Sequence, residues 1–162
     1  MTKITEMTNV SSLDGTEEFA VVQGSASRAA TIRDVIRFNP SETVTTTNVI
    51  VASESGTTFF LNLAGGFTST LPAPVTGLRF KFIVKTAPTT AYIVTTTSGD
   101  NILYGTLLDI VGEQVAITAQ DTINFVASTS LIGDSLEVES DGTNWYCTAK
   151  SLADGGITIA VT

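Results

Sequence analysis

Carboxylates are the residues that could do chemistry in this sequence, and they form two groups. Their members are Asp14, Glu17, Glu18, Asp134, Glu137, Glu139 and Asp141. Such groups can bind calcium or supply the paired acids of a glycosidase. No EF-hand pattern is present, and strand alternation places Glu137 and Glu139 on one face, which is typical of a solvated surface. The sequence therefore predicts no metal site.

Nucleophilic and phosphate-binding chemistry lacks its usual residues. The chain contains no histidine and a single cysteine, Cys147, which excludes histidine-dependent triads and zinc sites built from several thiolates. The glycines at 65 and 66 are followed by Phe67 and Thr68 and not by a helix pattern, so they indicate a turn and no phosphate loop. We therefore expect a protein that is not an enzyme and needs no cofactor.

Composition limits the class of partner. The chain has 162 residues, 8 of them basic and 16 acidic, for a formal net charge of −8. An acidic chain without a basic stretch is a poor ligand for phosphate backbones, so no nucleic-acid partner is expected. No run approaches the roughly 20 apolar residues of a membrane helix, so no membrane partner is expected. The N-terminus has no signal-peptide pattern, which predicts synthesis in a cytosol without export through a cleaved signal.

The chain is predicted to consist of an arm and a body. Residues 1–38 form an N-terminal arm with one strand, Glu18–Gln23, and one short helix that places Ile32, Val35 and Ile36 on one face. Pro40 ends that helix. Residues 39–48 are predicted as a linker, 49–149 as a β-domain and 150–162 as a C-terminal tail strand.

The body reads as about ten short strands separated by glycine, proline and aspartate turns. The runs that predict strands are residues 49–52, 57–63, 78–85, 92–96, 102–103, 114–118, 122–127, 135–140, 143–149 and 157–161. No long helix pattern interrupts them. The predicted fold class is mainly β, an antiparallel sandwich or a jelly-roll-like barrel.

Residues 135–149 predict a hairpin with a two-residue turn at Asp141-Gly142. That turn predicts the facing pairs Ser140 with Thr143, Val138 with Trp145, and Leu136 with Cys147. One face of the hairpin is then apolar. The other face carries the polar or aromatic side chains of Glu137, Glu139, Asn144 and Tyr146.

The strand at residues 78–85 has an apolar and a cationic face. Phe80 and Phe82 alternate with Arg79 and Lys81, which favours a central strand with both phenylalanines in the core. The cations are then solvated. Alternatively, Arg79 and Lys81 pair with acidic residues of a neighbouring subunit, for which Glu137 and Glu139 have the right charge.

Several segments resemble bacteriophage virion proteins. Residues 13–24 and 28–35 look like the short N-terminal module of phage structural proteins, including tail fibres. Five further segments resemble a β-domain of phage head decoration and fibre-like proteins; they are residues 60–67, 71–72, 77–82, 99–102 and 140–146. Together the segments span most of residues 13–146.

The resemblance implies a non-enzymatic capsid decoration, or cement, protein. Such a protein is a homotrimer on the outer surface of the capsid, made in the host cytoplasm, and it clamps neighbouring subunits of the phage major capsid protein. The residues expected to contact the capsid or a sister subunit are Phe19, Val21, Val22, Gln23, Ile32, Val35, Ile36, Arg79, Lys81, Glu137, Glu139, Ile157 and Ile159. A tail-fibre or receptor-binding adhesion module is the alternative, and a glycan-cleaving depolymerase is a third.

Overall fold

The structure, a computed structural model, describes residues 18–23, 26–31, 40–97 and 99–161. The chain divides into two compact units, residues 1–38 and 39–162. The first unit covers the same residues as the predicted arm. Each unit is described by itself.

The first unit contains two antiparallel strands, β1 (Glu18–Gln23) and β2 (Ala26–Thr31). The predicted strand at residues 18–23 has the bounds of β1. β2 is not among the predicted strands, because its small Ala and Ser residues lack the β-branched and aromatic side chains that mark strands in a sequence. The predicted helix with Ile32, Val35 and Ile36 lies outside the described residues.

The second unit is a β-sandwich of two mixed sheets packed against each other. Its strands are β3 (Ser41–Val44), β4 (Asn48–Val49), β5 (Thr58–Leu61), β6 (Phe67–Thr70), β7 (Arg79–Val84), β8 (Tyr92–Thr95), β9 (Leu103–Leu108), β10 (Gln114–Gln120), β11 (Thr122–Phe125), β12 (Ser135–Ser140), β13 (Trp145–Lys150) and β14 (Ile157–Ala160). The larger sheet has the order β10-β9-β13-β12-β7-β5-β3, and the smaller β14-β11-β8-β6-β4. The prediction of a mainly-β sandwich is confirmed, although the sheets contain parallel as well as antiparallel pairs.

Of the five parallel strand pairs in the described part of the chain, four lie in residues 41–95, where the chain alternates between the two sheets, and the fifth joins β9 to β13. β3, β5 and β7 are parallel neighbours in the larger sheet, and β4, β6 and β8 are parallel neighbours in the smaller one. Val44, Leu61 and Val84 are aligned across three strands and are all buried. The aligned aliphatic side chains pack together and stabilise the contacts between β3, β5 and β7. Residues 41–49, predicted mostly as a linker, therefore belong to the body as β3 and β4.

The core lies between the sheets and is rich in aromatic side chains. Phe59 and Phe82 stack with ring centroids 5.4 Å apart, and Phe80 lies 5.8 Å from the fully buried Trp145. Phe80 and Phe82 are thus inward-facing, as their alternation predicts. Aromatic pairs of this kind add to the free energy gained from burying apolar area.

The β12–β13 hairpin has the predicted faces but a different register. Ser140 pairs with Trp145, Val138 with Cys147 and Leu136 with Ala149. The predicted register is therefore wrong by two residues on β13. The Asp141 carboxylate accepts hydrogen bonds of 2.8 Å from the backbone N–H groups of Thr143 and Asn144, which stabilises a four-residue loop. A shift of two residues preserves strand alternation, so the apolar face still points inward.

The C-terminal strand belongs to the smaller sheet. β14 pairs antiparallel with β11 of the same chain, with Ile157 opposite Phe125 and Ile159 opposite Ile123. Ile157 is 2% exposed and lies in the core, and Ile159 packs partly buried against it. The predicted tail at residues 150–162 also begins too early, since Lys150 is the last residue of β13. This segment therefore belongs to the body, with β14 at the edge of the smaller sheet, and its contact with a sister subunit stays a prediction.

Candidate functional site

Three loops meet at one end of the sandwich and form a surface that we call the apex. They are residues 109–113 after β9, 126–134 after β11 and 151–156 after β13. β9 and β13 run parallel, so they finish at the same end of the larger sheet. The backbone N–H of Ser151 donates to the carbonyl of Leu108 at 2.8 Å, and that of Val126 donates to the carbonyl of Gly156 at 2.9 Å. Backbone hydrogen bonds thus connect the loop after β13 with both of the other strand ends.

The side chain of Asp134 locks two of the apex loops together. It is fully buried. Its Oδ1 accepts a hydrogen bond of 2.7 Å from the backbone N–H of Leu152, and its Oδ2 accepts from the backbone N–H of Leu131 at 3.0 Å and the hydroxyl of Ser130 at 2.7 Å. A buried carboxylate needs such donors because burial without them is costly. Asp134, a candidate for chemistry in the sequence, is therefore a structural residue.

Large apolar side chains are exposed on all three apex loops. They are between 44% and 66% exposed, and they are Ile110, Val111, Leu131, Ile132 and Leu152. Gly112 follows Ile110-Val111, and Gly133 follows Leu131-Ile132. Both glycines have positive φ angles, which fixes tight turns with apolar residues at their tips. Single exposed apolar residues are ordinary, but a group of them marks an interaction surface.

Carboxylates accompany the apolar side chains of the apex. Oxygen atoms of Asp109, Glu113 and Asp154 all lie within 4.8 Å of one another. Asp109 Oδ1 also accepts a hydrogen bond of 2.9 Å from the backbone N–H of Glu113, which closes the turn after β9. Like charges at this separation repel, so a cation placed among them lowers the electrostatic energy. The apex is thus apolar and anionic.

The outer face of the larger sheet brings together the charged residues singled out in the sequence. Lys81 Nζ lies 2.6 Å from Glu137 Oε1, and the hydrogen bond from Lys81 lowers the pKa of Glu137. Arg79 is directly opposite Glu139 on the neighbouring strand. Because β7 and β12 are neighbours, Lys81 pairs with Glu137 of its own chain. The pair is exposed, in keeping with the interpretation of this face as solvated, and the alternative of pairing with a neighbouring subunit stays a prediction.

Two tyrosines form an aromatic corner on the same face. The rings of Tyr104 and Tyr146 are 6.4 Å apart, and Tyr146 is half exposed. The Tyr146 hydroxyl donates to Asp141 Oδ2 at 3.1 Å, and this hydrogen bond raises the pKa of Tyr146. The hairpin loop is thereby attached to the sheet surface.

The other predicted contact residues that the structure describes lie on two elements. Phe19, Val21, Val22 and Gln23 lie on β1 of the first unit, and Ile157 and Ile159 lie on β14 of the body. Within the body, Ile157 lies in the core and Lys81 and Glu137 lie on the outer face of the larger sheet, so these residues do not form one site. Sequence reasoning also missed the apex, although apolar pairs placed directly before a glycine, at residues 110–112 and 131–133, are its signal.

Comparison with protein-family models gives no match, and comparison with curated proteins gives no significant relative. Among the residues that the structure describes, no helix has the length and apolar character to cross a membrane.

Proposed function

We propose that this protein is a non-enzymatic structural protein of a bacteriophage virion, a homotrimeric capsid decoration protein that stabilises the head. Its partners are sister subunits and the phage major capsid protein, and its place is the outer surface of the capsid. The virion assignment rests on the resemblance of residues 13–146 to phage structural proteins. The apex supports the more general part, a role in protein contacts.

The apex is the structural observation that carries the general part of this proposal, a role in protein contacts. Its apolar side chains are exposed on loops whose backbones are held by a buried carboxylate and by hydrogen bonds. A rigid surface pays little conformational entropy when it binds, so several modest contacts can give a stable complex. Repetition over a symmetric shell then multiplies those contacts through effective concentration.

The arm gives the proposed trimer a second means of attachment. β1 and β2 form a two-stranded sheet, and a sheet this small offers edges to which another chain can add a strand. In this proposal residues 1–38 bind the capsid or lock the subunits together. The body and arm thus contact the shell separately.

Deletion of residues 1–38 tests the proposal. Purified full-length and truncated proteins are added to expanded heads that lack the protein, and occupancy is measured by electron microscopy. The proposal expects full-length protein to decorate the heads and the truncated body to be lost from them. A truncated body that decorates heads at full occupancy contradicts the role of the arm.

A tail-fibre or receptor-binding module is the second candidate, and the tyrosine corner favours it. Tyr146, which is half exposed, combines an apolar ring with a polar hydroxyl, which suits contacts to partly polar ligands such as glycans. Binding of purified protein to host-cell glycans, lost in a Tyr104→Ala/Tyr146→Ala variant but retained in an Arg79→Ala variant, would favour this candidate. Labelled protein at the tail of intact particles would favour it as well.

A further inference from the structure

We propose that the apex docks onto a protein surface in which lysine or arginine side chains border an apolar patch. This inference rests on the proposed function, because it names the chemistry of the partner in the protein contacts described above. It assigns a binding role to residues that neither the sequence motifs nor the charged outer face include.

The apolar part of the partner follows from the exposed side chains of the apex. Ile110, Val111 and Ile132 are each more than 60% exposed and project from turns that are fixed by glycine. Leu152 lies against the neighbouring loop, since a Cβ atom on Gly133 would be 3.1 Å from its Cδ1. Removing these side chains from water is favourable only against a surface that is itself apolar.

The cationic part follows from the charges. Residues 109–113, 126–134 and 151–156 contain no lysine or arginine. Lys150 adjoins them in sequence but acts electrostatically on Glu137 of the outer face. The carboxylates of Asp109, Glu113 and Asp154 therefore have no cation of their own among the apex residues, and a partner's ammonium or guanidinium group relieves their repulsion.

The carboxylates of the apex also disfavour two other binding partners, a second copy of this chain and an anionic membrane. Two apices facing each other would bring two groups of carboxylates together, which opposes pairing with a second copy of this chain. A membrane surface rich in anionic lipids repels the apex for the same reason. A basic and apolar protein surface is the occupant that satisfies both features.

Matched variants of the full-length chain test the charge requirement. Glu113→Lys/Asp154→Lys reverses two apex charges and leaves Asp109, which holds the turn, in place. Glu42→Lys/Asp100→Lys is the control, because both residues are exposed and lie on β3 and on the loop between β8 and β9. For the apolar requirement, Ile110→Ser/Ile132→Ser is compared with Val51→Ser/Val75→Ser, whose valines are half exposed and lie outside the apex loops.

The probes are three immobilised synthetic peptides: lysine with leucine, glutamate with leucine, and lysine with serine. Binding of each variant is measured at low and high ionic strength, after circular dichroism shows that it is folded. We expect the wild-type chain and both controls to prefer the lysine–leucine peptide by roughly tenfold or more, and both apex variants to lose that preference. High salt should weaken the preferred binding.

Several results would overturn the inference: equal binding to all three peptides, apex variants that behave like the controls, or Ile110- and Ile132-dependent binding to neutral phosphatidylcholine vesicles in place of the peptide. The same variants are also tested for decoration of heads, which distinguishes the proposed capsid function from the docking inference. Wild-type protein that selects the lysine–leucine peptide but does not bind heads contradicts the proposed function alone. Apex variants that decorate heads normally and show unchanged peptide preference contradict the inference alone.

Discussion

The buried carboxylate of Asp134 accepts a hydrogen bond of 2.7 Å from the backbone N–H of Leu152, which is 18 residues away in the chain. The same side chain accepts from Leu131 and Ser130 in its own loop. One acid thereby fixes the backbone beneath the apolar tips of two apex loops. The geometry of the proposed contact surface depends on this residue.

Replacing Asp134 with alanine should destabilise the body by about 2–4 kcal/mol, because buried donors lose their acceptor. The free energy of unfolding is measured in urea, and amide hydrogen exchange is followed at Leu131 and Leu152. Exchange at those two amides should accelerate more than in the strands. Asp100→Ala is the control because Asp100 is exposed. Equal effects of the two substitutions would contradict the role of Asp134 in joining the two loops.

Gly105→Ala should destabilise the protein by at least about 3 kcal/mol. A Cβ atom at this position would lie 1.8 Å from the carbonyl oxygen of Cys147 on the adjacent strand, so β9 and β13 would have to separate. Gly65→Ala is the matched control, since the nearest atom to its Cβ is 4.0 Å away, and it should change stability by less than about 1 kcal/mol. Thermal unfolding of both variants measures the difference, and similar melting temperatures would contradict the packing.

Glu137→Gln should cost less than about 1 kcal/mol, because the ion pair with Lys81 is solvent-exposed and therefore screened. The hydrogen bond from Lys81 lowers the pKa of Glu137 from its ordinary 4.5. The stabilisation is therefore present above that ordinary value and is lost as the pH falls through the lower folded value. Urea unfolding at neutral and acid pH measures it, and the loss caused by Glu137→Gln should be larger at neutral pH than in acid. Glu42→Gln, at an exposed position of β3, is the control; equal losses at both pH values would contradict the ion pair.

The Cys147 thiol should be inert in the folded protein. Burial raises its pKa to about 12, and its Sγ lies 3.4 Å from the Tyr104 carbonyl oxygen. Thiolate is the reactive form, so labelling by a disulfide reagent at mildly alkaline pH should be negligible until urea unfolds the chain. One thiol per chain should then react. Fast labelling of the folded protein would show that β13 opens locally.

Strand alternation predicted the faces of the body well. Phe80, Phe82 and Leu136 are buried, as strand alternation predicts. Glu137 and Glu139 of β12 are exposed on the other face. The hairpin register was wrong because the sequence does not reveal that Asp141 accepts two backbone hydrogen bonds and lengthens the turn. An error of two residues leaves the inward and outward faces of a strand unchanged but changes which residues pair across it.

The mixed topology and the apex could not be predicted from local patterns. β4 has two residues, and its place depends on a parallel neighbour, β6, that follows it in sequence by about 20 residues. Leu131-Ile132 and Ile110-Val111 fall between the predicted strands, and only the structure shows that they are exposed on adjoining loops. The ion pair of Lys81 with Glu137 within one chain was not among the predictions, since sequence does not give strand order.

Cryo-electron microscopy of intact phage particles to which the purified protein has been added tests the proposed capsid role most directly. We expect density for the body in groups of three at symmetric positions on the outer surface of the capsid, with the apex loops against a neighbouring protein. Density only at the tail, or particles that contain no copy of the chain, would contradict it.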